Sequence, residues 1–204
     1  MDALLIILAL FVIWRIFCMR YQKSHIQLLA QHLRPFQLEK HIETLTQGYL
    51  RAISADTESR QLQIFETFAP TEQTVASQIQ SLAQNIQKES PSQTQLVILA
   101  FCLPYAENYL PSLTRDFRKL LQIHADGISY VVNNEANWSP KERAFHLSAE
   151  LYLFQNSCHW FCKSRNVANA RLQVQHKVTY QKTLESVSER TRHAYEQWLQ
   201  TKIA

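Results

Sequence analysis

The chain is predicted to be all-α: an N-terminal transmembrane helix continuing into an irregular multi-helix bundle that closes with a long C-terminal helix. Three observations lead there. The first nineteen residues, MDALLIILALFVIWRIFCM, form one apolar run. Only two glycines, Gly48 and Gly127, occur in 204 residues, too few for a series of tight hairpins. Glutamine, leucine, alanine and serine dominate while alternating valine-rich segments are scarce, a balance that favours helix over strand.

The opening run comes first. As a helix, Ala3 to Met19 covers about 25 Å at about 1.5 Å per residue, close to the shortest length that crosses a bilayer core. Asp2 stands where a signal peptide would carry lysine or arginine, and Trp14, Arg15, Ile16 and Phe17 stand where cleavage would need small side chains. The run is therefore expected to stay as a signal anchor. Arg15, Arg20 and Lys23 mark the flank joined to the rest of the chain, which the positive-inside rule assigns to the cytoplasm. The expected location is a bacterial inner membrane with the C-terminal domain in the cytoplasm. Trp14, Arg15, Arg20, Tyr21 and Lys23 are the expected membrane-interface residues, with Arg15 reaching back to the headgroups. The competing reading is a buried first helix of a soluble protein. The expected division is an anchor over 1–20, a juxtamembrane helical stalk over 21–35, and a cytoplasmic helical domain over 36–204.

Along the domain, apolar spacing predicts the elements. Ile26, Leu29, Ala30 and Leu33 extend the first helix until Pro35 forces Arg34 out of helical geometry. The stripe Leu38, Ile42, Leu45, Tyr49, Ile53 marks an amphipathic helix over 36–54. A shorter helix over 56–68, capped by Asp56, turns in Leu62, Phe65 and Phe68, and another starts at Pro70 with Val75, Ile79, Leu82 and Ile86 inward. The run LVILAFCL, 96–103, reads as a buried helix ended by Pro104; a strand pairing with ISYVV, 128–132, is the alternative. Leu113, Phe117, Leu120 and His124 define the next helix, with Gly127 as its terminator. Ser139-Pro140-Lys141-Glu142 is a capping box that opens a long central helix carrying Phe145, Leu147, Leu151, Phe154 and Phe161. After a break near Ser164 to Asn166, a last helix runs toward Ile203 with Val167, Ala170, Val174, Val178, Leu184, Val187 and Trp198 as a thin inner edge.

Composition also excludes functions. Two glycines cannot supply a phosphate loop or a dinucleotide fingerprint. Cys18, Cys102, Cys158 and Cys162 show no secreted disulfide spacing and are expected to be reduced. Cys158-His159-Trp160-Phe161-Cys162 offers only one short ligand pair, whereas zinc usually takes two. Glu142, His146 and Glu150 fall at i, i+4 and i+8 and would suit a helical-bundle metal-dependent enzyme, but Glu142 is better used by the cap. His25 and His32, seven residues apart, could sense pH. No catalytic residue, cofactor or metal is assigned.

Charge is the remaining signal. Residues 163–204 hold eight basic side chains against three acidic ones. Arg165, Arg171, Lys177, Lys182, Arg190 and Arg192 are the expected contacts with a partner or an anionic surface. The expected function is a membrane-anchored scaffold or tether, with the bilayer and a protein of unstated identity as partners. Nucleic acid on the basic last helix is the less favoured alternative, because glutamates interrupt the cations and no recognised binding motif accompanies them.

Overall fold

The computed structural model describes residues 2–201, is 79% helical, and is an all-α bundle with one small two-stranded sheet. Nine helices occur among those residues. Helix α1, Asp2–Leu33, is one continuous rod. Its N-terminal half projects from the domain, with the large apolar side chains from Leu4 to Ile13 about half exposed or more, and an 18-residue window of it is only 6% buried while averaging a hydropathy of 2.3. By length and composition this helix can cross a membrane. From Cys18 onward the same helix joins the domain: Cys18, Tyr21, His25 and Leu29 are buried, and the rod packs on α6 and α3.

Helix α2, Leu38–Ile53, buries Leu38, Ile42, Leu45 and Tyr49 on the expected stripe, while Ile53 stays 44% exposed. Helix α3, Glu58–Ile86, replaces the two helices expected on either side of Pro70, and its N-cap is Thr57, which accepts the Arg60 N–H, not Asp56. The proline does not break the helix because Tyr49 holds it on both flanks: before Pro70, Phe65 and Phe68 lie 6.0 and 5.9 Å from the Tyr49 ring, and after it Glu72 accepts the Tyr49 hydroxyl. That packing outweighs one missing backbone hydrogen bond.

The run 96–103 is not a helix. Strand β1, Gln95–Val97, pairs antiparallel with β2, Thr114–Asp116, Leu96 opposite Arg115. The strand alternative named the right segment in part but the wrong partner. Beyond β1 the chain runs as an irregular loop through residue 113, holding the one-turn helix α4, Ala106–Tyr109. The loop satisfies its backbone elsewhere: Trp160 donates its indole N–H to Val97 O at 2.8 Å, Ile98 N–H to Leu113 O at 2.9 Å, and Asn166 N–H to Ala100 O at 3.0 Å. Pro111 opens a single 3-10 turn, Pro111–Leu113, that leads into β2.

Helix α5, Phe117–Val132, contains ISYVV and runs straight through Gly127. That glycine is a contact point, not a terminator: a Cβ there would stand 2.0 Å from Thr191 Oγ1. Helix α6, Pro140–Cys162, begins at the expected capping box, with Ser139 and Glu142 exchanging hydrogen bonds. It is the centre of the bundle, touching α1, α2, α3, α5, α7 and α8. Phe145, expected inward, is 55% exposed.

The single long C-terminal helix is corrected to three: α7, Arg165–His176; α8, Tyr180–Ser186; and α9, Glu189–Gln200. Each starts on a side-chain cap, Ser164, Thr179 or Ser188, and Lys177 ends α7 in left-handed backbone at φ 58°. Breaking the chain there lets Leu184, Tyr195 and Trp198 turn back onto the core. The expected extension to Ile203 lies outside the described residues.

Candidate docking groove

An apolar groove of about 650 Å³ lies between α2 and α7, lined also by α6 and by Leu33 of α1. Its origin is local. Helix α7 buries only Ala168 and Leu172 against its neighbours, so its adjacent flank, Val167, Ala170 and Val174, overhangs α6. Val167 is 40% and Val174 70% exposed. Facing them are Leu38 and Ile42 of α2, with Phe154 and Cys158 below. The thin apolar edge expected in the last helix is thus split: α8 and α9 supply core, and α7 supplies one wall of an open groove.

Polar groups rim the opening. Arg171 donates a guanidinium N–H to His159 Nδ1 at 3.2 Å. Burial foremost, and then Arg171 and His176, hold the His159 imidazole below its ordinary value, so it accepts as the neutral ring. Arg171 has no carboxylate partner among the described residues. Glu39 stands on the opposite rim. Burial pushes the Cys162 thiol up to about 11 and that of Cys158 well above its usual range, so neither is a ready thiolate.

The other expected contact residues do not join Arg171. Arg165 lies over the Trp160 and Tyr180 rings at 5.2 and 5.1 Å. Lys177 is the left-handed end of α7. Lys182 borders a second, smaller apolar hollow of about 290 Å³ beside Leu50, Ile53 and Phe145. Arg190 sits over Tyr130 at 5.4 Å and faces Glu135 at 3.7 Å, and Arg192 pairs with Glu189 at 3.7 Å. The six cations are distributed over three helices against different neighbours.

Of the interface set, Arg15, Arg20 and Lys23 are exposed, Trp14 is half-buried against Phe11, and Tyr21 is buried. Both histidines of the first helix have partners: His25 Nδ1 bonds Phe161 O at 3.1 Å while burial lowers it to about 4, and His32 Nε2 lies 2.8 Å from Glu89 Oε1.

The helix-face trio does not assemble either. Glu142 serves the cap, which lowers its carboxyl, His146 Nδ1 bonds Ser186 O at 2.9 Å, and Glu150 is fully buried against Ser188. Among the described residues no three His, Cys, Asp or Glu side chains are grouped to hold a metal ion. His124 Nε2 and Ser157 Oγ meet at 2.9 Å. Both are 0% exposed, so no substrate reaches that pair.

In the sequence, Leu38, Ile42 and Phe154 read as plain core. A stripe has the same spacing whether its neighbour closes over it or stops short, so the groove had no local signal; only the sparse inner edge of α7 hinted at it. No known protein family, curated protein or solved structure matches this chain.

Proposed function

We propose that this is a single-pass membrane-anchored protein whose helical domain holds a protein partner, acting as a scaffold or tether. The groove between α2 and α7 carries the reading. Its apolar walls and uncompensated Arg171 suit an amphipathic helix that lays an apolar stripe against the exposed Val167, Ala170 and Val174, over a floor that includes Leu38 and Ile42, and offers an acidic side chain to the guanidinium. The exposed apolar half of α1 supports attachment to a bilayer, and Arg20 and Lys23 favour placing the domain on the cytoplasmic side, as in a bacterial inner membrane.

Deleting 165–204 would remove Leu184, Tyr195 and Trp198 from the core, so point substitutions are the proper test. Val174→Asp and Arg171→Glu are expected to abolish capture of partners from detergent-solubilised membranes while circular dichroism and membrane attachment stay unchanged. Arg192→Ala, remote from the groove, is the control and keeps capture. Partners retained by both groove variants would overturn the reading.

A further inference from the structure

The loop between β1 and β2 is more apolar than a surface loop ordinarily is. Glu107 is its only charged residue from Ile98 to Leu113. Of the ten exposed large hydrophobics described outside α1, four fall within it: Phe101 at 56%, Tyr105 at 39%, Tyr109 at 82% and Leu110 at 45%.

The loop is fastened to one level of α1. The Tyr105 ring packs edge-on against Phe17 at 6.5 Å and Tyr21 at 5.5 Å. Cys18 Sγ lies 3.6 Å from Cys102 O, and the Tyr21 hydroxyl faces Glu107 at 3.5 Å. Tyr105 reaches these partners from left-handed backbone, φ 60°, a conformation a bulky side chain takes only where contacts hold it. Phe17 to Tyr21 is also where the apolar run of α1 ends and Arg20 and Lys23 begin. Lys163 approaches the same level, donating to Gln22 Oε1 at 3.3 Å.

We infer that the loop carrying Phe101, Tyr105, Tyr109 and Leu110 inserts into the headgroup zone of the bilayer that α1 spans, a second membrane contact beside the anchor. The inference rests on the anchor proposed above. Depth is limited by backbone chemistry: an irregular loop facing lipid cannot enter the hydrocarbon core with unpaired N–H and C=O groups. Tyrosine and phenylalanine suit the interfacial layer, where ring and hydroxyl are both accommodated. Arg20, Lys23 and Lys163 frame the site with positive charge toward anionic headgroups. A bilayer is favoured over a protein occupant because the loop is tied to the last turn of the spanning segment itself.

The test uses the full chain reconstituted in vesicles of mixed zwitterionic and anionic phospholipid, with photoreactive benzoylphenylalanine placed in turn at Leu5, Tyr109 and Val174. Lipid adducts, read by mass spectrometry, are expected at Leu5 and Tyr109, with about tenfold more at Tyr109 than at groove residue Val174. Adducts at Leu5 without any at Tyr109 overturn the loop insertion and leave the anchor standing. Absence at both positions overturns the anchor and the inference with it. Crosslinks from Tyr109 to protein, or equal lipid yields at Tyr109 and Val174, overturn the loop insertion alone.

Discussion

Glu150, on α6, accepts the Ser188 backbone N–H at 3.1 Å and the Ser188 hydroxyl at 2.8 Å, so a carboxyl from the central helix closes the N-terminus of α9. Burial pushes this carboxyl up from 4.5 to about 7, against the opposing hydrogen bonds of Thr191 and Ser188. Below pH 4.5 the group is protonated in both folded and unfolded chains; between 4.5 and 7 the unfolded chain ionises first, and stability falls as pH rises, by about 3 kcal/mol in all. Buried His124 and His25, lowered to about 3 and 4, act oppositely, losing stability as pH falls below 6.5. Glu150→Gln is therefore expected to make stability climb more steeply between pH 4.5 and 6.5, and to abolish the decline from 6.5 to 7. Urea titrations across that range measure it; parallel curves for variant and native chain would contradict the assignment.

Gly127→Ala should destabilise the fold by about 2 kcal/mol or more, because the new methyl would overlap Thr191 Oγ1 and approach Glu150 Oε2 at 3.1 Å. The same change in an exposed helix interior would stabilise by up to about 1 kcal/mol. The sign of the shift in thermal midpoint decides between close packing of α5 on α9 and a loose crossing.

Arg143 pairs with Glu72 Oε2 at 3.1 Å, and the Tyr49 hydroxyl donates to the other carboxylate oxygen, tying α6 and α2 to α3. Glu72 is only 2% exposed. Arg143→Ala is expected to cost about 3 kcal/mol by leaving that charge without its cation. The double variant Glu72→Gln, Arg143→Ala should cost less than the sum of the single changes by at least about 1 kcal/mol. Additivity in a double-mutant cycle would show that the triad is not coupled.

Reversing the positive flank tests orientation. With Arg20→Glu and Lys23→Glu, the share of chains whose domain is accessible from the cytoplasmic side is expected to fall in protease-protection assays. An unchanged pattern would assign orientation to something other than these charges.

The readable parts of this chain were those whose signals are local. Ser139 to Glu142 opens α6 as expected because a capping box is complete within four residues. Leu38, Ile42, Leu45 and Tyr49 mark α2 because their spacing keeps one face of a single helix apolar from end to end. The misread elements depend on distant partners. Pro70 continues a helix because Tyr49 holds Phe65 and Phe68 before it and Glu72 after it, Gly127 sits mid-helix because Thr191 approaches it, and LVILAFCL becomes strand and loop because Trp160, Leu113 and Asn166 satisfy its backbone. The division of 165–200 into three helices was partly visible in Ser164, Thr179 and Ser188, each a suitable cap, but apolar spacing alone joined them.

If α1 anchors the chain as proposed, its unbroken course from Asp2 to Leu33 also makes it a ruler. Leu33 at the groove lies fourteen positions beyond Met19, where the apolar run ends. In a rigid helix standing upright that is about 21 Å. A partner seated between α2 and α7 would be held at a set standoff from the lipid surface, and each added or deleted helical turn in residues 24–32 would change both its height and, by the incomplete turn, the compass direction in which it faces.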